Sequence, residues 1–461
     1  MSDTRIRIQP ARRVAYEVIS AVRESDAYAN LLLPVRLGRA KLAGPDAALA
    51  TELTYGTLRM LGYYDRVIEL AARRPAAQID APILDVLRLG VHQLLSMRVA
   101  QHAAVDEAVS LAREVGSRSA TGFVNGVLRT ITRSSPQTWQ SLVLAGARND
   151  DERLAAEHSH PVWIIRAFRR ALAAEGRGDE LTALLQADNA APHVSLTALP
   201  GLSTVADLPG TRPGRFSPFA AASDGGDPAH WSVVREGRAR VQDEGSQLAA
   251  LALSRARPIR LGERWLDLCA GPGGKATLLA AEAAAGGATL VANEFVPARA
   301  QLVRNALAVY ESPPDVWELD GTGIGDSHAG QFDRILLDAP CTGLGALRRR
   351  PEARWRKQPH DVADLAEVQI RLLESALTAL KPGGIVAYVT CSPHPGETRA
   401  VVQSVLGGTN AGPGDVHTID TQAVLAQATR QRLDLPQASH VQLWPHRHGT
   451  DAMFIQLLQR A

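Results

Sequence analysis

Two short stretches carry residues whose types and spacing can do chemistry. In "LLDAPCTGLG", residues 336–345, and in "YVTCSPHPGE", residues 388–397, a cysteine stands just past an apolar run and close to a proline. The chain has only three cysteines in 461 residues, so two in matching positions call for a reason. A free cysteine is ordinarily a small buried hydrophobe. Here Cys341 and Cys391 are accompanied by a carboxylate, Asp338, and the trio suits covalent catalysis on a pyrimidine. A thiolate that adds to carbon 6 turns the ring into an enamine, whose carbon 5 can then attack a methyl donor. A carboxyl group at ring nitrogen N3 stabilises charge during that addition, and a base must afterwards remove the carbon 5 proton so that the thiol can leave.

A donor site is readable upstream. "DLCAGPGGK", residues 267–275, is a glycine-rich turn between an apolar run and a helical stretch, where backbone amides and a helix N-terminus can approach a ligand. It is not a P-loop, because Ala276 follows Gly274-Lys275 and Cys269 stands where the first glycine would be, and the dinucleotide spacing is absent. Glu294, at the end of the next strand, can accept both hydroxyls of a ribose. Asp320, past a third strand, can hold an adenine amino group. Acids at successive strand ends without a phosphate cradle describe a nucleoside site that fits S-adenosylmethionine better than ATP or NAD. Cys269 reads as a packing residue whose backbone lines that site.

The elements that must position these residues follow from periodicity. Residues 1–140 place apolar side chains at three- and four-residue spacings in "ARRVAYEVISAVRE", "APILDVLRLGVHQLL" and "HAAVDEAVSLAREVG", which predicts an all-α helical bundle. In the second of these Ile83, Leu84, Leu87, Val91, Leu94 and Leu95 form one stripe, with Pro82 in the first turn. Residues 150–235 carry weaker signals and read as a small α/β linking module. From 236 to 461 strands alternate with helices: "RWLDLCA", "ATLVANE", "DRILLDAP" and "IVAYVTCS" are strands, and "LAEVQIRLLESALTALKPGG" is a helix with a glycine stop. Such alternation implies a doubly wound α/β fold with a parallel sheet and helices on both faces. Ligands there sit beyond the carboxyl ends of the strands, where Cys269, Cys341 and Cys391 all fall.

The motifs "DLCAGPGGK", "ILLDAPCTGLGALRRRP", "LKPGGIVAYVTCSPHPGE" and "WPHRHGTDAMFIQLL" resemble those of RNA cytosine-5 methyltransferases, over roughly residues 235–461. The helical part, with "LTYGTLRMLGYYDRVI" and "GFVNGVLR", is similar to the antitermination-factor-like (NusB-like) RNA-binding domain at the front of the bacterial 16S ribosomal RNA branch, the Sun/Fmu type. The resemblance implies a Rossmann-like, S-adenosylmethionine-dependent methyltransferase domain. It implies Cys391 as the nucleophile, Cys341 as the residue assisting product release, Asp338 as the contact to the base, and Cys269, Ala270, Gly271, Pro272, Gly273, Gly274, Lys275, Glu294, Asp320 and Asp338 around the cofactor. DNA cytosine methyltransferases use a Pro-Cys pair for attack, so Cys341 is the competing nucleophile. The branch often has Ser-Ala after "DAPC", where this chain has Thr342-Gly343, and the loop "GGTNAGPGD" near residue 410 has no counterpart.

Charge and composition set the partners. "LRRRPEARWRK", residues 347–357, follows the Cys341 motif, and Arg348, Arg349, Arg350, Arg354, Trp355 and Arg356 are expected to grip phosphates or stack on an unpaired base of RNA. The base must be out of its stack to be reached. His446 and His448 have no cysteine partners and, on one strand face, are not expected to close a metal site. The net charge of +2 decides nothing by itself. Scattered cysteines and an N-terminus without an apolar core point to the reducing cytoplasm, no apolar run is long enough to span a membrane, and a monomer is expected. The reading is methyl transfer to C5 of a cytosine in 16S rRNA or a small-subunit assembly intermediate. The same chemistry on tRNA, or a non-catalytic RNA-binding or assembly factor, are its alternatives.

Overall fold

A computed structural model describes residues 8–25, 27–223, 225, 227–408 and 416–461. The N-terminal residues 1–7 and most of the glycine-rich loop near residue 410 lie outside these. The chain divides into two compact units. One comprises residues 1–166 with two returning segments, 188–190 and 347–356; the other comprises 167–187, 191–346 and 357–461. Of the module expected over 150–235, residues 150–166 and 188–190 fall in the first unit and the rest in the second.

The first unit is helical as far as His158, as the spacing predicts, with helices including Pro10–Glu24, Gly44–Arg59, Ala81–Leu95, Gln101–Val115 and Arg118–Ile131. Its core includes Val14, Val18, Leu53, Tyr64, Val86, Leu87, Val91 and Leu128. The stripe on Ala81–Leu95 is only part of what that helix buries. Asp85, Arg88, His92 and Gln93 are buried as well, while Leu94 and Leu95 are half-buried. The charge of Asp85 is matched by Arg23 Nε at 2.8 Å and Arg88 Nη1 at 2.9 Å, and Arg88 also donates twice to Asp65, each at 2.7 Å. Periodicity cannot foresee this, since a buried charge is tolerated only when partners from other helices satisfy it.

The basic segment 347–356 corrects an expectation. Arg354 is fully buried in the helical unit. Its Nη1 donates to the Arg59 carbonyl at 2.9 Å and to Asn189 Oδ1 at 2.7 Å, and its Nη2 to the Asp188 carbonyl at 2.9 Å. Arg356 Nη2 donates to the carbonyls of Val22 and Ala27, both at 2.7 Å, with its guanidinium 5.3 Å from the ring centre of Tyr28. Trp355 packs where Gly62 lacks a side chain; a Cβ there would lie 2.3 Å from the indole. Arg348 is buried, and Glu352 accepts from the Ala29 amide at 3.2 Å. Arg354 cannot grip a phosphate while its donors are spent on backbone carbonyls and Asn189, and Trp355 and Arg356 are half-buried. Arg350, exposed over Tyr28, and the half-buried Arg349 keep surface within reach of a ligand.

The second unit holds two sheets. Strands β1 (Val194–Ala198), β2 (Thr211–Pro213), β3 (Ala220–Ser223) and β4 (Ala239–Val241) form an antiparallel sheet in the order β2-β3-β1-β4. The main sheet comprises β5 (Arg264–Asp267), β6 (Thr289–Asn293), β7 (Asp315–Trp317), β8 (Phe332–Asp338), β9 (Leu380–Thr390), β10 (Val416–Ile419), β11 (Val441–Gln442) and β12 (Phe454–Arg460). Its order is β10-β12-β9-β8-β5-β6-β7, with β11 paired to β12. The five strands β5 to β9 are parallel. The tail adds antiparallel strands at one edge, so the sheet is mixed.

Apolar alternation fixes the faces: Trp265 and Leu336 join one core, with helices Glu244–Ser254 and Gly274–Ala285, whereas Leu266, Ile335 and Leu337 join the other, with helix Pro359–Ala379. Each fully buried side chain of this kind contributes roughly 1.5–3 kcal/mol. The helix Pro359–Ala379 stops short of the expected glycines, because residues 380–384 already run in β9. A register shift against β8 and a positive φ of 74° at Gly383 absorb the extra residues. His446 and His448 lie in a short helical turn, Pro445–His448, rather than on a strand; the turn starts at a proline and ends at Gly449, whose φ is 70°. His446 faces Glu180 at 2.8 Å, and His448 Nδ1 accepts from the Trp444 amide at 2.9 Å. No helix among the described residues is long and apolar enough to cross a membrane.

Replacing Arg354 with alanine leaves buried carbonyls without donors, so a destabilisation of about 2–4 kcal/mol is expected. Arg350→Ala, at an exposed position, should stay within about 0.5 kcal/mol of wild type. Urea unfolding of the full chain measures both.

Candidate active site

The sheet reverses its winding between β5 and β8: the chain moves outward through β6 and β7, then returns to place β8 and β9 on the other side of β5. That switch point is where an open α/β sheet forms its ligand crevice, and the turns after β5 and β8 border it.

After β5 the chain makes the glycine-rich turn and enters helix Gly274–Ala285. The Ala270 amide donates to the Asn293 carbonyl at 2.8 Å, and the Gly273 amide to the Ala270 carbonyl at 2.7 Å. Gly273 has φ 103°, a left-handed conformation that a side chain resists. A Cβ at Gly271 would sit 2.2 Å from Glu294 Oε2, so only glycine lets the turn approach that carboxylate. Glu294 accepts from the Gly271 amide at 3.0 Å and the Val296 amide at 3.1 Å. These two bonds fix its side chain and still leave acceptor capacity on a four-lone-pair carboxylate. Arg299 reinforces the turn, donating to the Gly271 carbonyl at 2.8 Å. Asp320, exposed, accepts from the Thr322 amide at 3.0 Å and its hydroxyl at 2.8 Å, which holds its carboxyl below the usual range.

The turn after β8 and the turn after β9 carry the thiols. Asp338 pairs in register with Val389, so the residues three beyond Asp338 and two beyond Val389 come together. Cys341 Sγ and Cys391 Sγ are 3.4 Å apart. The Gly345 amide donates to the Cys391 carbonyl at 2.9 Å, and a Cβ on Gly345 would lie 2.1 Å from the Ala452 carbonyl oxygen and 2.8 Å from that of Cys391, so glycine is required where these three segments meet. The Cys341 thiol is held well above its ordinary pKa, first by its hydrogen bond to Cys391, then by burial and by the charge of Glu397. Cys269 is likewise pushed up by burial and by the neighbouring acids, which suits the packing role expected for it.

Charged groups gather on the Cys391 side. Lys275, the last residue of the glycine-rich motif, donates to Asp338 Oδ2 at 2.7 Å. Burial disfavours its ammonium, yet the contact with Asp338, and the proximity of Cys391 and Asp267, raise its pKa, so the lysine stays charged. Asp267, at the end of β5, is fully buried with neither carboxylate oxygen hydrogen-bonded. Desolvation, together with Asp338 and Glu294, pushes its pKa up to about 8.

Of the residues expected in the site, Asp338, Lys275, Cys341 and Cys391 converge, and Glu294 joins the turn 271–274. The arginine-rich segment belongs to the helical unit instead. Asp267, Arg299, Gln369 and Glu397 were not anticipated. Asp267 and Glu397 are the first and last residues of quoted motifs, but nothing in the spelling distinguishes a buried acid from a solvated one.

The switch-point crevice, its nucleoside-type turn and the paired thiols define an enzyme of the doubly wound α/β class. Residues 258–459 match the family model 16S rRNA methyltransferase RsmB/F, and residues 9–133 match the NusB family. A protein of Mycobacterium tuberculosis (strain H37Rv) named as a methyltransferase is 49% identical over 98% of this chain and 97% of its own length. The ribosomal RNA small subunit methyltransferase B of Salmonella paratyphi B is 31% identical over 85% of this chain and 88% of its own. The crystal structure of PH0851 shares the fold, with a TM-score of 0.79 at 22% identity over 99% of this chain and 100% of that one. The chain belongs to the RsmB/F family of 16S rRNA methyltransferases, with a NusB-like helical region in front, and is thus an RNA methyltransferase.

Asp267 gives the site a pH signature in stability. Its carboxyl holds a proton more tightly folded than unfolded, with a pKa of about 8 against an ordinary 3.8. Between about pH 4 and pH 8 the unfolded chain gives up a proton that the folded one retains, so stability falls as pH rises through that window. Asp267→Asn removes this loss. Its melting temperature relative to wild type should climb by several degrees between pH 5 and pH 8, as differential scanning calorimetry will show.

Proposed function

We propose that the chain transfers a methyl group from S-adenosylmethionine to carbon 5 of a cytosine in 16S rRNA, through a transient bond between Cys391 Sγ and carbon 6 of the ring. The observation that carries this is the pair of thiols 3.4 Å apart beside the Lys275–Asp338 ion pair. Membership of a 16S rRNA methyltransferase family supports the substrate.

The residues of the turn fit the donor. Backbone amides at 271–274 border the helix N-terminus, the missing Cβ at Gly271 leaves room beside Glu294, and Glu294 retains lone pairs for ribose hydroxyls. Cys269 to Lys275, Glu294 and Asp320 are proposed to hold it. When bound, S-adenosylmethionine supplies an electrophilic methyl group. Cys391, as thiolate, attacks carbon 6 of a flipped-out base. In the complex with the base, Asp338 carries a proton that it passes to N3 as electron density builds there, and the Lys275 ammonium holds the carboxylate left behind. Cys341 keeps its proton, and its S–H stabilises the sulfur of Cys391 as the carbon–sulfur bond breaks, once a base has taken the carbon 5 proton. In this reading the thiols have different tasks, with Cys391 attacking and Cys341 assisting release.

Incubation with the donor and small-subunit RNA should yield 5-methylcytidine by nucleoside mass spectrometry, and its absence removes the proposal. Cys391→Ala should lower methyl transfer at least about a thousandfold and form no covalent RNA complex. Cys341→Ala should accumulate an RNA adduct that survives denaturing electrophoresis. An adduct found only in Cys391→Ala reverses the two roles, and product on tRNA rather than small-subunit RNA reassigns the substrate.

A further inference from the structure

Glu397 is a buried acid that the mechanism above does not use. Its Oε1 accepts from the Thr342 amide at 2.7 Å, and its Oε2 accepts from the Ser392 hydroxyl at 2.6 Å and from the Thr342 hydroxyl. Gln369 Nε2 approaches Oε1 at 3.5 Å while donating to the Pro340 carbonyl at 2.8 Å. Thr342 directly follows Cys341, and Ser392 directly follows Cys391. One carboxylate thus bonds to both cysteine-bearing loops at the residue next to each thiol. Its own backbone is anchored too, because the Tyr388 hydroxyl donates to the Glu397 carbonyl at 2.8 Å, with Gln369 Oε1 also within reach at 3.1 Å.

Every group around the carboxylate offers a hydrogen, and an ionised carboxylate is acceptor-only. The donors therefore match the charged form, even though burial works against it. The charge of Glu397 helps hold the Cys341 thiol up, and Lys275 lies close enough to Cys391 to feel its charge. A negative charge disfavours a thiolate and a positive one favours it.

We propose that Glu397 is a positioning residue of this site: its carboxylate clasps the Cys341 and Cys391 loops at one separation and gives the two thiols unequal tasks. This rests on the reading of Cys391 as nucleophile. Were the clasp neutral, Cys341 would lose one of the charges that hold its proton, and the sulfurs would compete more evenly for attack and for the release proton. Thr342 has its part here, since its amide and hydroxyl both engage the clasp; glycine or alanine at that position keeps only the amide.

Residue-resolved alkylation tests the idea without RNA. Full-length wild type and Glu397→Gln are treated with iodoacetamide from pH 6 to pH 9, and modification of each cysteine is followed by peptide mass spectrometry, with melting temperature as the folding control. In wild type Cys391 should react well ahead of Cys341. In Glu397→Gln the Cys341 rate at pH 8 should rise about tenfold, the change in thiolate fraction for one pKa unit. An unchanged rate ratio in a variant that melts as wild type does overturns the proposal.

Should Glu397→Gln fail to fold, Ser392→Ala and Thr342→Val each remove one hydroxyl donor and leave the charge. Each should lower kcat for methyl transfer by about tenfold, with KM for RNA within about twofold; a rise in KM with kcat unchanged overturns the clasp. If alkylation responds as expected but no 5-methylcytidine forms in wild type, the functional reading fails and Glu397 keeps its role.

Discussion

The site depends on one pairing: β8 beside β9, parallel and in register, with Asp338 opposite Val389. Parallel neighbours end at the same edge of the sheet, so whatever follows each strand is delivered to one place. Cys341 and Cys391 are fifty residues apart in the chain, and this pairing brings them within 3.4 Å in space. A slip of one residue would send every inward side chain of β9 to the opposite face. The two cores forbid it, because Ala387 and Val389 pack on one side while Val386 and Tyr388 pack on the other.

Several of the buried charges in the two units are met by partners drawn from distant parts of the chain. Arg334, at 0% exposure inside the sheet, donates to Glu263 and to the carbonyls of Leu253, Ser254, Arg257 and Pro258. Asp85 in the helical unit is satisfied by two arginines. Asp267 differs from these, a fully buried acid with neither oxygen hydrogen-bonded that feels the charges of Asp338 and Lys275. Unpaired buried acids are costly and cluster at functional sites, where their cost is tolerated for the field they create. Its position in the same charge cluster as Lys275 and Asp338 agrees with that pattern.

The arginine-rich run shows how charge in sequence misleads. A string of basic residues next to a catalytic motif has the composition of an RNA grip, yet Arg354 and Arg356 spend their guanidinium groups on backbone carbonyls. Arginine serves this purpose well because its planar fork offers several donors and binds carbonyls that helix ends and turns leave unpaired. Whether such a side chain faces solvent or a carbonyl is decided by the surrounding backbone, which local sequence does not describe.

The amino-acid sequence by itself determined the strand and helix alternation, the helical front, the glycine-rich turn and the identity of the two thiols, because each rests on short-range properties: periodicity, backbone freedom at glycine, and residue chemistry at strand ends. Residues such as Gly271 and Gly273 were legible for that reason, since only glycine fits where they stand. Tertiary structure alone decided that β9 begins five residues before its apolar run, that the C-terminal tail pairs antiparallel, that Arg354 is interior, and that Glu397 reaches both cysteine loops. Those outcomes depend on which distant backbone donors and acceptors come within about 3 Å. Three-dimensional packing sets such distances, and no local window of residues encodes them.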